Sequence, residues 1–172
     1  LENLGSEKFL SEYPLKHKSW YLAFDNSPNS VCAMEIRIKY SEGCYHSLPY
    51  INIQDLKNLQ VSGSFITYVT NEPISKVKND IISLSKKNKV LVINSDIDNK
   101  SHITNDLDDK NISFVFIPNV DANYSFIPTT LAGQLISYFI AVELDKRKEY
   151  FKDLIDIINL DKDSVIAWQS LI

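Results

Sequence analysis

The sequence predicts a three-layer α/β/α sandwich, in which helices cover both faces of a parallel sheet of four to five strands. Two observations support this fold class. Short runs of apolar and β-branched residues, typical of strands buried on both faces, recur along the chain. They alternate with longer segments in which apolar residues recur at helical spacing, as in strand–helix–strand units. The predicted strands are 19–24, 64–70, 90–94 and 112–117.

The first long helix is predicted to follow the polar loop after the first strand. Asn29 and Ser30 are expected to accept hydrogen bonds from the free amides of its first turn. Gly43 is expected to end the helix, because glycine tolerates the positive φ found at many helix ends. One stripe of this helix is charged and the other sides are mostly apolar. The charged stripe holds Glu35, Lys39 and Glu42, and the predicted buried side holds Val31, Met34, Ile36, Ile38 and Tyr40.

The remaining segments complete the predicted alternation. Residues 44–54 are expected to form an extended crossover, followed by a short helical turn over 55–59. A second long helix is predicted to start at Pro73, whose missing amide hydrogen costs little in a first turn. Residues 129–148 predict a helix so apolar that either the core or a second subunit covers most of it. Further helices are predicted over 1–14, 103–110, 150–159 and 164–172.

The composition is that of an ordinary globular protein of one domain. The chain has 172 residues, of which 44% are hydrophobic and 23% charged. A net charge of −4 argues against nucleic acid as a partner, because nucleic-acid binding draws mainly on basic surface. No signal peptide and no uncharged apolar stretch of membrane-spanning length is evident, so a cytoplasmic protein is expected. Cys32 and Cys44 are expected to be reduced thiols, and the absence of an initiator Met suggests a longer chain.

Known nucleotide, serine hydrolase and metal motifs are missing from the sequence, so neither a cofactor nor a metal is expected. Ligand-binding groups are expected instead in the loops that follow the predicted strands. In parallel sheets, ligands gather beyond the carboxyl ends of strands, where helix amino termini offer amide donors. These loops are 25–30, 70–73, 94–101 and 119–125.

Residues 29–60 resemble the second sugar isomerase (SIS) domain of glucosamine-fructose-6-phosphate aminotransferases. The family stretch runs Ala-Leu-Lys-Leu-Lys-Glu-Ile-Ser-Tyr and, further on, Glu-Leu-Lys-His-Gly-Pro. Read without gaps, Lys39 falls on the family's conserved lysine and Glu42 on its catalytic glutamate. Asp55-Leu56-Lys57 falls on Glu-Leu-Lys, whereas Asn58 stands in place of the histidine that opens the sugar ring. Downstream, QLISYFIAV is similar to the family's Gln-Leu-Leu-Ala-Tyr-His-Val-Ala.

The resemblance implies one SIS domain of flavodoxin-like topology over residues 1–172, forming the carboxyl-terminal half of a longer chain with two such domains. It implies a phosphosugar isomerase or aminotransferase-like activity on a sugar phosphate such as fructose 6-phosphate, without a cofactor. Glu42 would carry a proton between adjacent sugar carbons, and Lys39 would stabilise developing oxyanion charge. The implied substrate-binding residues are Lys57, Asn58, Ser27, Ser30 and Thr70.

Two other interpretations remain open from the sequence. Because asparagine cannot titrate in place of the family histidine, the domain would bind sugar phosphate without turnover, for regulation or dimerisation, unless His46, His102 or another subunit supplies the acid. Alternatively, an unrelated doubly wound domain would carry the charged stripe as a solvated helix face, with ion pairs worth a few tenths of a kcal/mol. The SIS interpretations predict a homodimer or pairing with a second SIS domain, since the family's glutamate helix lies near a subunit interface.

Overall fold

The computed structural model describes residues 9, 14–27, 29–95, 110–121 and 123–147, with side chains as far as residue 144. Within these ranges a five-stranded sheet is flanked by helices. The strands are β1 Trp20–Phe24, β2 Tyr50–Asn52, β3 Phe65–Val69, β4 Lys89–Asn94 and β5 Ile112–Phe116. The helices are α1 Ser30–Cys44, α2 Ile53–Asn58, α3 Ile74–Ser85 and α4 Phe126–Arg147.

All five strands run parallel in the order β2-β1-β3-β4-β5, so their carboxyl ends meet at one edge of the sheet. The predicted α/β/α class and all four predicted strands are confirmed. The fifth strand, β2, lies in the segment that was expected to be an extended crossover. β2 lies on one side of β1, and the later strands lie on the other side. The ends of β1 and β3 therefore form the switch point of the sheet, where open parallel sheets commonly bind ligands.

Two apolar layers hold the helices to the sheet. Helices α1 and α4 cover one face, and α2 and α3 cover the other. Alternate residues of β3 supply each layer, because successive strand side chains point to opposite faces. The first layer includes Leu22, Ile36, Tyr40, Phe65, Val69, Ile136 and Ile140; the second includes Ala23, Leu56, Ile66, Tyr68, Ile74, Val77 and Ile81.

Helices α1 and α4 pack unusually close together, and Gly133 makes this possible. A Cβ atom at Gly133 would stand 2.5 Å from Ile36 Cδ1 and nearer still to Ile36 Cγ1. Further along the pair, the Ser137 hydroxyl donates to the Lys39 carbonyl oxygen at 2.7 Å. A Cβ at Gly43 would stand 3.1 Å from Ser137 Oγ. Small residues thus set the spacing of this helix pair.

The predicted buried side of α1 is partly wrong. Val31 and Met34 are 72% and 51% exposed, whereas the helix buries Cys32, Ala33, Ile36, Tyr40 and Cys44. Apolar residues surround most of this helix, so their periodicity alone does not identify the buried side. Close packing on α4 at small residues determines which side is buried. The predicted end at Gly43 is also wrong: α1 continues to Cys44, and Tyr45 takes the left-handed conformation with φ 51°.

Helix α4 begins at Phe126, three residues before the predicted start, with Pro128 in its first turn, where a missing amide hydrogen is tolerated. In the described part of the chain, Phe126–Leu144 is the one stretch long and apolar enough to cross a membrane, although it packs on α1 and the sheet core. The helices predicted over 1–14, 103–110, 150–159 and 164–172 lie wholly or almost wholly outside the described residues.

Candidate functional site

A cluster of mostly buried polar side chains lies at the carboxyl ends of β1 and β3. It joins three loops: the one between β1 and α1, the one between β3 and α3, and the one that leads into α4. We call it the rim cluster, and its members are Asp25, Ser27, Asn29, Thr70, Asn71, Ser125 and Thr129.

Asp25 holds the β1 side of the rim cluster. Its Oδ1 accepts from the Ser27 amide at 2.8 Å, and its Oδ2 accepts from Tyr68 OH at 3.3 Å and from Thr70 Oγ1. Burial, and then the charge of Asp25, raise the pKa of Tyr68, so its phenol stays neutral and donates. A carboxylate has about four acceptor positions. These three bonds therefore leave Asp25 able to accept one more, from a hydroxyl of a ligand.

Asn29 connects the loops of the rim cluster. Its Nδ2 donates to Asn71 Oδ1 at 2.5 Å and to Thr129 Oγ1 at 2.8 Å, and its Oδ1 accepts from Ser125 Oγ at 3.0 Å. Asn71 Nδ2 donates to Ser125 Oγ at 2.9 Å, which closes the network. The predicted capping role of Asn29 is therefore wrong, since its side chain makes tertiary hydrogen bonds and leaves the first turn of α1 without a side-chain cap.

Ser27 differs from the other members of the rim cluster. Its side chain is 8% exposed, and its Oγ has no hydrogen-bond partner among the described residues. Among the described residues, no other buried side-chain nitrogen or oxygen lacks a hydrogen-bond partner. Leaving a buried hydroxyl unpaired costs about 1–3 kcal/mol, and such groups in native structures call for an explanation. The Ser27 hydroxyl is therefore open to a partner from outside the described residues.

Three of the predicted substrate-binding residues lie together at this edge. Thr70 is fully buried, bonded to Asp25, and accepts from the Glu72 amide at 3.1 Å. Ser30 is the first residue of α1, and its carbonyl oxygen accepts from Tyr50 OH at 2.8 Å. Ser27 completes the set. Strand order predicts that these residues lie in ligand-gathering loops, but it did not single out the other members of the rim cluster as site residues.

The predicted catalytic pair lies elsewhere, on the outer side of α1. Lys39 Nζ is 2.8 Å from Glu42 Oε2 and 3.7 Å from Glu35 Oε1. The hydrogen bond and charge of Glu42 raise the pKa of Lys39, which is therefore a cation at neutral pH. The Glu42 side chain is 62% exposed. Twelve residues of helix, about 18 Å at the usual rise, separate Glu42 from Ser30, so one chain does not bring Glu42 to the rim cluster.

Lys57 and Asn58 lie on the opposite face of the sheet from Glu42. Lys57 Nζ is 2.5 Å from Asp80 Oδ1 on α3 and 3.3 Å from Gln54 Oε1, and Asn58 is exposed at the end of α2. Lys57 also lines a cavity of about 210 Å³ between the ends of α2 and α3. The predicted site residues thus occupy three separate places in the single chain.

Solved structures decide the fold. The C-terminal domain of glucosamine-fructose-6-phosphate aminotransferase from Francisella tularensis superposes with a TM-score of 0.56 and 15% identity, over 73% of this chain and 36% of that chain. The chain has the fold of a sugar isomerase domain. A second SIS-like neighbour, E. coli CFT073 c3406 in complex with arabinose 5-phosphate, gives a TM-score of 0.61 and 14% identity, over 84% of this chain and 77% of that one. No protein-family model and no curated protein sequence matches.

The match covers most of this chain but only part of the aminotransferase chain. The chain spans about a third of the length of the aminotransferase chain that it matches. The helices and parallel sheet of this chain therefore correspond to a domain within that protein. At identities of 14% and 15%, the likeness establishes the architecture and does not assign a role to any residue.

Proposed function

We propose that this chain is a sugar-phosphate-binding SIS domain whose ligand lies at the rim cluster. The buried, unpartnered hydroxyl of Ser27 is the observation that carries this proposal. Its position supports the same conclusion, because it lies at the switch point of the sheet, where open parallel sheets hold ligands. The likeness to a protein in complex with arabinose 5-phosphate supports a sugar phosphate as the ligand class.

The charges of the rim cluster suggest how such a ligand would be oriented. Asp25 already accepts three hydrogen bonds and offers no donor to a phosphate, so its remaining acceptor position suits a sugar hydroxyl. The first turn of α1 has no side-chain cap, and it carries the positive end of the helix dipole, which favours a phosphate beside this turn. Ser27, between these two groups, would bond to the sugar.

A catalytic role is the second candidate, and it requires a second domain. In an aldose–ketose isomerase or aminotransferase-like protein, a carboxylate must carry a proton between adjacent carbons of the sugar. Glu42 would do so with Lys39 as the cation that stabilises the enediolate oxygen. Because Glu42 is distant from the rim cluster of its own chain, it would act on a sugar phosphate bound by another copy or by a second SIS domain.

Two features favour binding over turnover. Glu42 is already paired with Lys39, so the lysine's charge is shared before any substrate arrives. Asn58, which the resemblance aligns with the ring-opening histidine, cannot transfer a proton and lies exposed at the end of α2. A non-catalytic module that binds sugar phosphate for regulation or dimerisation therefore fits the geometry of the single chain best.

Calorimetric titration with fructose 6-phosphate, glucosamine 6-phosphate and arabinose 5-phosphate tests the proposal. Ser27→Ala removes a buried hydroxyl that makes no protein hydrogen bond, so the variant should be at least as stable as the wild type without ligand. It should nevertheless bind sugar phosphate roughly tenfold more weakly, the effect of losing one hydrogen bond to a ligand. Thr67→Val is the matched control, because it alters a buried hydroxyl of β3 that contacts Tyr40, away from the rim cluster.

The outcomes separate the candidates. Binding that Ser27→Ala weakens and Thr67→Val preserves supports the rim cluster as the site. Turnover of fructose 6-phosphate that is lost in Glu42→Gln, with binding retained, would support the isomerase. Absence of binding by the full chain to all three sugar phosphates would contradict both proposals.

A further inference from the structure

A cavity of about 210 Å³ lies between the carboxyl ends of α2 and α3, at the opposite edge of the sheet from the rim cluster. From Phe65 to Thr70 the chain advances about 16 Å along β3, so the length of a strand separates the two places. We call it the α2–α3 cavity. The lining residues on which the argument depends are Leu56, Lys57, Ser83, Leu84, Lys86 and Lys87.

Buried hydrogen bonds give the α2–α3 cavity a fixed wall. The Asn88 side chain is 5% exposed, and its Nδ2 donates to the carbonyl oxygens of Val61 at 3.1 Å and Leu84 at 3.0 Å. Its Oδ1 accepts from the Ser64 amide at 3.1 Å. Gln60, on the loop after α2, takes the left-handed conformation with φ 50°, which a residue other than glycine adopts only where the surroundings hold it. These contacts tie the loop after α2 to the end of α3, so the cavity belongs to the folded backbone.

Two positive charges at the α2–α3 cavity are not balanced by a carboxylate. Lys57 is paired with Asp80 at 2.5 Å. Lys86 and Lys87 are exposed, and neither makes an ion pair among the described residues. The cavity therefore presents the charge of two ammonium groups to any molecule that enters it.

The end of α3 does not account for these two lysines. Lysines near a helix carboxyl terminus commonly bond to its free carbonyl oxygens. Here other side chains already donate to those oxygens at 3.0–3.1 Å: Ser85 Oγ to Ile82, Asn88 Nδ2 to Leu84, and Asn111 Nδ2 to Ser85. The helix dipole itself amounts to about half a negative charge, which is less than two lysines carry. Both ammonium groups are therefore available to an anion.

The size and lining of the α2–α3 cavity indicate which anion fits. Pockets for drug-sized ligands measure about 300–1,000 Å³, so this cavity suits a smaller molecule. A phosphate monoester carries about −1.5 to −2 charges at neutral pH, which matches two lysines, and lysine binds phosphate as a point charge. Leu56 and Leu84 are buried in the cavity wall and offer an apolar surface to the organic part of such a molecule.

We propose that the α2–α3 cavity is a second ligand site, which binds a small phosphate monoester. Lys86 and Lys87 hold the phosphate, and the organic part lies against Leu56 and Leu84. The site is a strand's length from the rim cluster and shares no residue with it. The proposal therefore stands or falls independently of sugar-phosphate binding at the rim cluster.

Amide chemical shifts of the labelled full chain, titrated with phenyl phosphate and separately with inorganic phosphate, test the second site. Phenyl phosphate should produce saturable shifts at the amides of Gln60, Lys87 and Asn88. It should bind at least about fivefold more tightly than inorganic phosphate, because only the ester buries an apolar group. Ser27→Ala, which tests the rim cluster, should leave these shifts unchanged.

Two variants alter the α2–α3 cavity by different means. The double variant Lys86→Gln/Lys87→Gln removes the two charges and should weaken phenyl phosphate binding at least about tenfold. Ser83→Phe leaves the charges in place but fills the cavity from an exposed position on α3, and it should weaken binding to a similar extent. The matched control is Lys76→Gln/Lys78→Gln, which removes the same charge near the start of α3 and should change the dissociation constant less than about twofold.

Circular dichroism melts establish that each variant folds. Phenyl phosphate shifts confined to the rim cluster, or none up to millimolar ligand, would overturn the second site. So would an equal loss of binding in the two double variants, since any lysine pair would then serve, or a folded Ser83→Phe protein that binds as the wild type does. Equal affinities for phenyl phosphate and inorganic phosphate would overturn the assignment of an ester.

Discussion

Gly133→Ala tests the close packing of α1 on α4, the helix pair that positions part of the rim cluster. The new Cβ would stand 2.5 Å from Ile36 Cδ1 and 3.0 Å from Cγ2, well inside contact distance. Replacing a helical glycine by alanine gains about 0.5–1 kcal/mol of stability. Overpacking a core costs about 1–3 kcal/mol, and the closeness of this contact puts the cost at the upper end. We therefore expect a net loss of about 1–2 kcal/mol.

Urea unfolding followed by circular dichroism measures this loss, which corresponds to a fall in Tm of about 3–6 °C for a chain of this size. Gly43→Ala is the control, because it also replaces a helical glycine but meets only the hydroxyl of Ser137 at 3.1 Å and Ala141 Cβ at the ordinary contact distance of 4.0 Å. In an Ile36→Ala background the clash is absent, so Gly133→Ala should then be neutral or stabilising. A Gly133→Ala protein more stable than the wild type, or the same loss in both backgrounds, would refute the close packing of α1 on α4.

Three further predictions concern buried polar and titratable groups. Asn29→Ala removes four hydrogen bonds of a side chain that is 1% exposed, one of them a weak bond from the Cys32 thiol. It should lower the free energy of unfolding by about 2–3 kcal/mol in urea titrations, and a loss under half of that would show that the network is weak. Burial lowers the pKa of His46, whose ring stacks on Trp20 with the centroids 4.1 Å apart, so the free energy of unfolding should fall as the pH drops below 6.5. In a His46→Phe variant that retains the stack, the free energy of unfolding should fall less over the same pH range, and identical pH profiles of the two proteins would contradict this prediction. Burial raises the pKa of Cys44 to about 11 and also raises that of Cys32, so a thiol reagent at neutral pH should modify both only after urea unfolds the chain; rapid labelling of the native protein would contradict their burial.

The strands were the most predictable part of this fold. β3 and β4 are almost wholly buried, so their unbroken apolar runs indicate strands in the sequence. The three-residue strand β2 has no such run and follows Pro49, and its pairing with β1 is a tertiary event that local pattern does not encode. It was therefore missed, although the fold class allowed for a fifth strand.

The buried side of α1 and the hydrogen bonds of the rim cluster could not be predicted from local sequence pattern. Apolar residues surround α1, and only the close approach at Gly133 decides which of them are buried. Asn29 bonds to Thr129, a hundred positions away in the sequence, and a polar residue before a helix looks the same whether it caps that helix or bridges to a distant one. The loops that gather ligands were predictable from strand order; the network within them was not.

The assigned catalytic residues remain predictions. The family resemblance placed Glu42, Lys39, Lys57 and Asn58 in one site, because a gapless comparison preserves order along the chain. The structure separates them across two faces of the sheet. Sequence spacing could not foresee this, since α1 and α2 follow neighbouring strands yet cross to opposite sides.

The binding of a sugar phosphate at the rim cluster is tested most directly by amide chemical shifts of the labelled full chain, titrated with arabinose 5-phosphate. We expect saturable shifts centred on the amides of Ser27, Ser30, Cys32 and Thr70, which Ser27→Ala weakens. Shifts confined to the α2–α3 cavity, or none at all up to millimolar ligand, would contradict it.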